Sequence, residues 1–241
     1  MKLPTLAGTI KRRILVNFRA DPDVIQSILP DGFRPKLQNG KAIAGICLIR
    51  LENIRPKFAP EFVGLDSENA AHRIAVQWEE NGETKEGVYI PRRDTNSRLN
   101  EYAGGTLFPG EHNRAEFNVT ESDDSIDFAM HSSDGKIDVR LHGKFADELP
   151  DDSIFDCVDE ASEFFKGGAL GYSVTRSGKR LDGITLETKQ WKVRPVEVEN
   201  VRSSFYEDKS IFPDGSIVYD HTLIMQDVEH EWHSAPEFEL S

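Results

Sequence analysis

Two Asn-Gly pairs, Asn39-Gly40 and Asn81-Gly82, each stand between runs of β-forming residues. A two-residue loop of this kind needs φ > 0 at both positions, and Asn and Gly tolerate that while keeping the flanking strands in register. Each pair therefore predicts an antiparallel hairpin, residues 34–37 with 41–53 and residues 72–79 with 84–92. Around them the β signal continues. Residues 12–19 are rich in β-formers, and residues 114–121, 125–132 and 136–145 read as a meander turning at Asp123-Asp124 and Ser133-Asp134-Gly135. Residues 172–175, 181–194, 196–203 and 217–226 add further strands. The run 42–51 is apolar almost throughout its first part, so it is buried on both faces or lines an interior cavity.

Helix signals are few. Asp21-Pro22-Asp23 offers an N-cap and a proline at the first helical position, and Val24, Ile25, Ile28 and Leu29 share a face before Pro30-Asp31-Gly32 stops the helix. Residues 96–103 carry one or two helical turns, broken by Gly104-Gly105. Residues 150–166 read as the clearest helix, capped by Asp152 or Ser153, striped by Phe155, Val158, Phe164 and Phe165, and stopped by Gly167-Gly168. Residues 54–69 read as the longest loop and a candidate lid. Residues 1–10 read as a loose leader and 230–241 as a partly disordered acidic tail. With no repeat and no linker, the expectation is one domain over residues 1–241, α+β but mainly β: an antiparallel barrel-like sheet enclosing a central cavity, with a few outer helices.

Charge narrows the partners. The chain has 241 residues, a formal net charge of −13 and a pI near 5.0. That balance argues against a nucleic acid or an anionic membrane surface as partner and suits a small-molecule ligand. Cys47 in a strand and Cys157 in the predicted helix read as buried small hydrophobes, not as a disulfide framework. Residues 1–10 lack an apolar signal core and no apolar run reaches membrane-spanning length, so a cytoplasmic protein is expected. There is no phosphate loop, no dinucleotide fingerprint, no Gly-x-Ser-x-Gly elbow, no His-Glu-x-x-His and no Cys-x-x-Cys pair; no cofactor and no metal are expected. His131 and His142 on adjacent meander strands, and His230 with His233, do not complete a ligand set.

Residues 12–36 resemble the start of acetoacetate decarboxylase: a strand ending in Arg19-Ala20-Asp21, a short helix, Leu29-Pro30 and a hairpin strand. Gly87-Val88-Tyr89, the Phe108-Pro109 turn and residues 198–204 (VENVRSS) look like the same superfamily, and residues 220–232 look closer to an uncharacterised branch of it. The resemblance implies the barrel-like fold with a cavity and, by analogy alone, a homo-oligomer. It also implies where this chain departs. The family carries a Pro-Lys-Lys step whose first lysine forms a Schiff base with the keto acid; the corresponding turn here is Phe108-Pro109-Gly110-Glu111. A lowered-pKa amine is what that chemistry needs, and neither Gly110 nor Glu111 supplies one. The family's first-strand arginine falls near Lys11 or Arg12, and its acidic cluster falls within residues 68–73.

The candidate site is the segment 86–117. Arg92 and Arg93 end a strand and face opposite ways, so one of them can reach into the cavity mouth and clamp a carboxylate through its planar fork. Glu111 and His112, beside the turn equivalent to the lysines, pair a carboxylate with an imidazole and are the candidates for moving a proton. Arg12 and Glu101 complete the candidate ligand contacts. Three functions follow: a protein that binds, and turns over without an imine, a small organic acid or carbonyl compound; a non-enzymatic ligand-binding or interaction module on the same scaffold; and a decarboxylase that recruits a lysine from elsewhere, such as Lys11.

Overall fold

The computed structural model describes residues 4–103, 110–175 and 180–239. Its strands are β1 (Leu6–Ala20), β2 (Arg34–Pro35), β3 (Leu37–Gln38), β4 (Lys41–Pro56), β5 (Leu65–Glu80), β6 (Glu83–Thr95), β7 (His112–Glu121), β8 (Ser125–Ser132), β9 (Asp138–Phe145), β10 (Leu170–Val174), β11 (Arg180–Thr188), β12 (Arg194–Ser203) and β13 (Ile217–Glu239). Three α-helices interrupt them: α1 (Pro22–Ile28), α2 (Arg98–Ala103) and α3 (Val158–Lys166). Both Asn-Gly loops carry positive φ at both residues, 46° and 76° at Asn39-Gly40 and 53° and 80° at Asn81-Gly82, as a two-residue hairpin loop requires. At the start of α1 the Asp21 side chain accepts from the amides of Asp23 and Val24, with Pro22 in the first turn.

The strands form one mixed sheet curled into a ring. Pairing runs β6–β7–β8–β9–β12–β13–β1–β4–β5 and returns from β5 to β6; a second circuit joins β6 to β13 through β10 and β11. Closure leaves none of these long strands with an unpaired edge. Most pairs are antiparallel, as the hairpin spacing predicts, but β6 runs parallel to both β7 and β10. The shared wall β1-β4-β5-β6 is buried on both faces. Even-numbered residues of β4 and β5, such as Ile46, Leu48, Ile74 and Val76, pack with Phe128, Val139 and Leu141 on one side. Odd-numbered residues, such as Cys47, Ile49 and Leu51, pack toward Phe155, Phe165 and Trp191 on the other. This two-sided burial is why residues 42–51 are apolar without alternation.

Four expectations are corrected. Residues 6–10 are not a leader but the start of β1, and residues 230–239 are not a loose tail but the end of β13; the two pair with each other, Leu6 opposite Trp232. Acids misled the reading of the tail, yet Glu237 and Glu239 are exposed while Phe238 between them packs against Phe33 and Trp78, the period-two alternation of a strand. The loop expected over 54–69 shrinks to residues 57–64, because β4 and β5 extend into it. Helix α3 begins only at Val158, so Cys157 is its exposed N-cap rather than a buried core residue. Phe108 and Pro109 and the Gly104-Gly105 break lie outside the described residues.

Candidate functional site

Strand register brings distant residues into rows on the odd-numbered face of the shared wall. Leu15, Cys47, Ala71, Arg93 and His112 are successive cross-strand neighbours on β1, β4, β5, β6 and β7. One row along, Asn17, Gly45 and Arg73 are neighbours; one row the other way, Arg13 is opposite Ile49, which is opposite Asn69. Rows on one face are about 6.7 Å apart, two residues of strand. Three arginines on three consecutive rows therefore surround the small side chains of Cys47 and Ala71. The space they leave is a cavity of about 440 Å³ whose lining includes Arg13, Cys47, Ala71, Arg73, Arg93 and His112. Its remaining walls are largely apolar, with Ile49, Leu51, Ile90, Ile184, Leu186 and Trp232.

The arginines reach this space without a countercharge. Among the described residues, no carboxylate comes within ion-pair distance of Arg13, Arg73 or Arg93. Arg13 Nε donates to Cys47 Sγ at 3.3 Å and its guanidinium lies over the Trp191 ring. Arg93 Nε donates to Ser173 Oγ at 3.1 Å, and its Nη2 is buried with no hydrogen-bond partner. Burial lowers Arg73 and Arg93 alike from the ordinary guanidinium value to about 10, leaving both charged at neutral pH. His112 is pushed down to about 3, first by burial and then by the Arg93 cation, so its imidazole is neutral. Nδ1 of His112 donates to the Gly110 carbonyl at 3.2 Å, which puts the ring lone pair on Nε2.

Arg73 is anchored from behind. Its Nη2 donates to Asn17 Oδ1; Asn17 Nδ2 donates to His221 Nε2 at 3.0 Å; His221 Nδ1–H donates to Asp220, which also accepts from Arg19, from the Ser153 hydroxyl and from the Ile154 amide. Asn17, His221 and Asp220 are all buried. The guanidinium crosses β4 at Gly45, where an added Cβ would sit 2.3 Å from the Val16 carbonyl oxygen and 3.4 Å from Arg73 Nη2. Gly110, φ +73°, is a second close approach: a Cβ there would lie 2.5 Å from Ser173 Cβ.

The sequence-predicted site residues separate in space. Arg93 and His112 line the cavity together. Arg92 points to the opposite face, where it is paired with Asp94 at 2.7 Å and Asp134 at 2.9 Å. Arg12 is buried on that same opposite face of β1, ion-paired with Glu68 at 2.6 Å and with Glu121. Glu111 is exposed and lines a second, more open space of about 510 Å³ with Arg92, Arg93, Asp134 and Lys136, and Glu101 is exposed on α2. Reasoning from sequence passed over Arg13, Arg73 and the thiol of Cys47. Their signal was a charged or polar residue inside an otherwise apolar strand, in residues 12–16, 42–51 and 70–76, where water cannot be what it faces. Among the described residues no three His, Cys, Asp or Glu side chains gather as a metal cluster, and no helix is long and apolar enough to cross a membrane.

A mainly β, mixed sheet curled into a ring around a core is the fold of acetoacetate decarboxylase-like proteins. The acetoacetate decarboxylase of Legionella pneumophila subsp. pneumophila str. Philadelphia 1 superposes with a TM-score of 0.61 at 13% identity, over 98% of this chain and 88% of that one. An acetoacetate decarboxylase-like enzyme from Sphingomonas wittichii RW1 gives 0.59 at 11%, over 99% and 93%. The enduracididine biosynthesis enzyme MppR complexed with pyruvate gives 0.59 at 10%, over 100% and 92%. At these identities the likeness is one of fold. No curated protein matches the sequence. The chain belongs to the family DUF2071, described as "Uncharacterized conserved protein (COG2071)", whose model matches residues 8–224.

Proposed function

We propose that this protein binds a small organic carboxylate in the interior cavity, as a single domain, and handles it without an imine. The observation that carries the reading is the cluster of Arg13, Arg73 and Arg93 around Cys47 and Ala71, with no carboxylate at ion-pair distance among the described residues. A buried cation without a countercharge is costly, and an anionic ligand offsets that cost. Arg93 holds the carboxylate, with Arg73 and Arg13 completing the positive field. His112, which lines the cavity beside Arg93, is the proposed proton-exchanging group; an anion against Arg93 removes the cation's share of its lowered pKa and makes it a better base.

Two observations support chemistry without a Schiff base. The described cavity lining contributes guanidinium and imidazole nitrogens and no lysine. Gly110, which the resemblance sets at the family's amine, is packed against Ser173 and has no room for a side chain unless its neighbours move. A solved relative complexed with pyruvate is consistent with a short oxo-acid as one ligand on this scaffold. Calorimetric titration with pyruvate, acetoacetate, butanoate and octanoate tests the proposal. Binding that is lost in Arg93→Ala and retained in Arg92→Ala is the expected result; equal loss in both variants, or no binding of any acid, overturns it.

A further inference from the structure

Resting on the carboxylate reading, we infer that the natural ligand is amphipathic: a carboxylate head on an apolar body that runs from the arginine cluster to the surface beside Leu65 and Leu99. The cavity is too large for a short acid. Its volume of about 440 Å³ has room for on the order of fifteen water-sized groups at ~30 Å³ each, against about six non-hydrogen atoms in a three-carbon keto acid. The cavity is also elongated and polarised. Leu65, Ser67, Asn69, Ala71 and Arg73 alternate along one face of β5 and all line it; from the Arg13 row at Asn69 to the mouth at Leu65 is four residues of strand, about 13 Å.

Among the described residues, the cations without a carboxylate at ion-pair distance lie at one end; the other charged lining residues, Arg55 toward the mouth and Asp94, are ion-paired with Glu61 and Arg92. On β4 the lining passes from Cys47, beside the arginines, through Ile49 and Leu51 to Ile54. It ends at Leu65 and Leu99, each 49% exposed, where the cavity meets solvent. Leu65 directly follows a turn that presents Phe62, 87% exposed, and Val63. Filled by a short acid alone, the apolar half would hold water against leucine and isoleucine, which is unfavourable. A monocarboxylate with on the order of ten carbons satisfies both halves: its planar head matches the guanidinium forks and its body covers the apolar wall and rim.

The test is a calorimetric series of acetate, butanoate, hexanoate, octanoate and decanoate, with the alcohols of matching length, on the wild type, Arg93→Met, Leu65→Glu and Leu99→Glu. We expect each added methylene to tighten binding by about fourfold until the cavity is full, and the alcohols to bind at least about tenfold more weakly than the acids. The two mouth variants lie on different elements at half-exposed positions, and either should flatten the dependence on length. If short acids bind and affinity does not rise with length, the amphipathic ligand is overturned while the carboxylate site stands. Failure of every acid to bind overturns both. A rise with length that is equal for acids and alcohols, and indifferent to Arg93→Met, shows an apolar pocket only and likewise overturns both.

Discussion

Replacing Arg93 by methionine should make the empty protein more stable and the liganded protein less so. In the fold, burial lowers the Arg93 guanidinium from its ordinary value to about 10. At about 1.4 kcal/mol for each step of ten in proton affinity, that drop is roughly 3 kcal/mol of penalty on the charged form. The sign follows from linkage. Below pH 10 both folded and unfolded chains carry the charge, so the penalty is fully present at pH 7 and fades only as pH rises above about 10 toward the ordinary guanidinium range. Partial solvent exposure of the residue cuts it to roughly half. Losing the 3.1 Å hydrogen bond to Ser173 returns about 1 kcal/mol to the other side of the balance. Methionine fills similar space, so the net gain should be about 1 kcal/mol, or ~2–4 °C in Tm for a chain of this size. Wild type with a carboxylate at about 100 times its Kd should gain about 2.7 kcal/mol, and Arg93→Met should gain little. Melting curves of both proteins at pH 7, with and without the acid, decide it. A variant that melts lower than wild type when empty, and rises as far as wild type with the acid, would refute the claim that Arg93 is an uncompensated cation waiting for an anion.

Three further predictions follow from the same geometry. A bound carboxylate covers Cys47 but not the exposed Cys157, so saturating ligand should slow iodoacetamide labelling of Cys47 at least about tenfold and leave Cys157 unchanged by peptide mass mapping. His72 and His112 are both held at about 3 by burial, so the unfolded chain binds their protons first as pH falls below 6.5. Stability should then drop by about 1.4 kcal/mol per pH unit for each between pH 6.5 and 5, seen in urea midpoints and reduced in slope by His72→Gln. Gly45→Ala should cost about 1–3 kcal/mol by forcing β4 from the Val16 carbonyl, and should weaken carboxylate binding by displacing Arg73; an unchanged denaturation midpoint would show that the strand absorbs the methyl.

How far the site was legible depends on what each residue's position rests on. Arg92 and Arg93 had to face opposite ways, since strand side chains alternate, but alternation does not say which face holds the cavity. That was decided by the sheet's curl, which gave Asp94 and Asp134 to Arg92 and left Arg93 with Ser173. Arg12 and Arg13 are the same case in reverse: the one singled out from sequence is neutralised by Glu68 and Glu121, and its neighbour reaches the cavity.

Local chemistry by itself determined the two Asn-Gly hairpins, the Asp21 cap of α1, the β8–β9 turn at Gly135 and hence the mainly β class, because each depends on backbone dihedrals and alternation within a few residues. Tertiary structure alone decided that residues 13, 47, 73, 93 and 112 meet around one cavity, that β6 runs parallel to β7 and β10, and that the acidic C-terminal segment is a strand held by β1 and β11. The physical reason is common to all three. Ring closure is a long-range pairing, stabilised by hydrogen bonds and apolar burial between segments tens to hundreds of residues apart, and no window of sequence contains both partners.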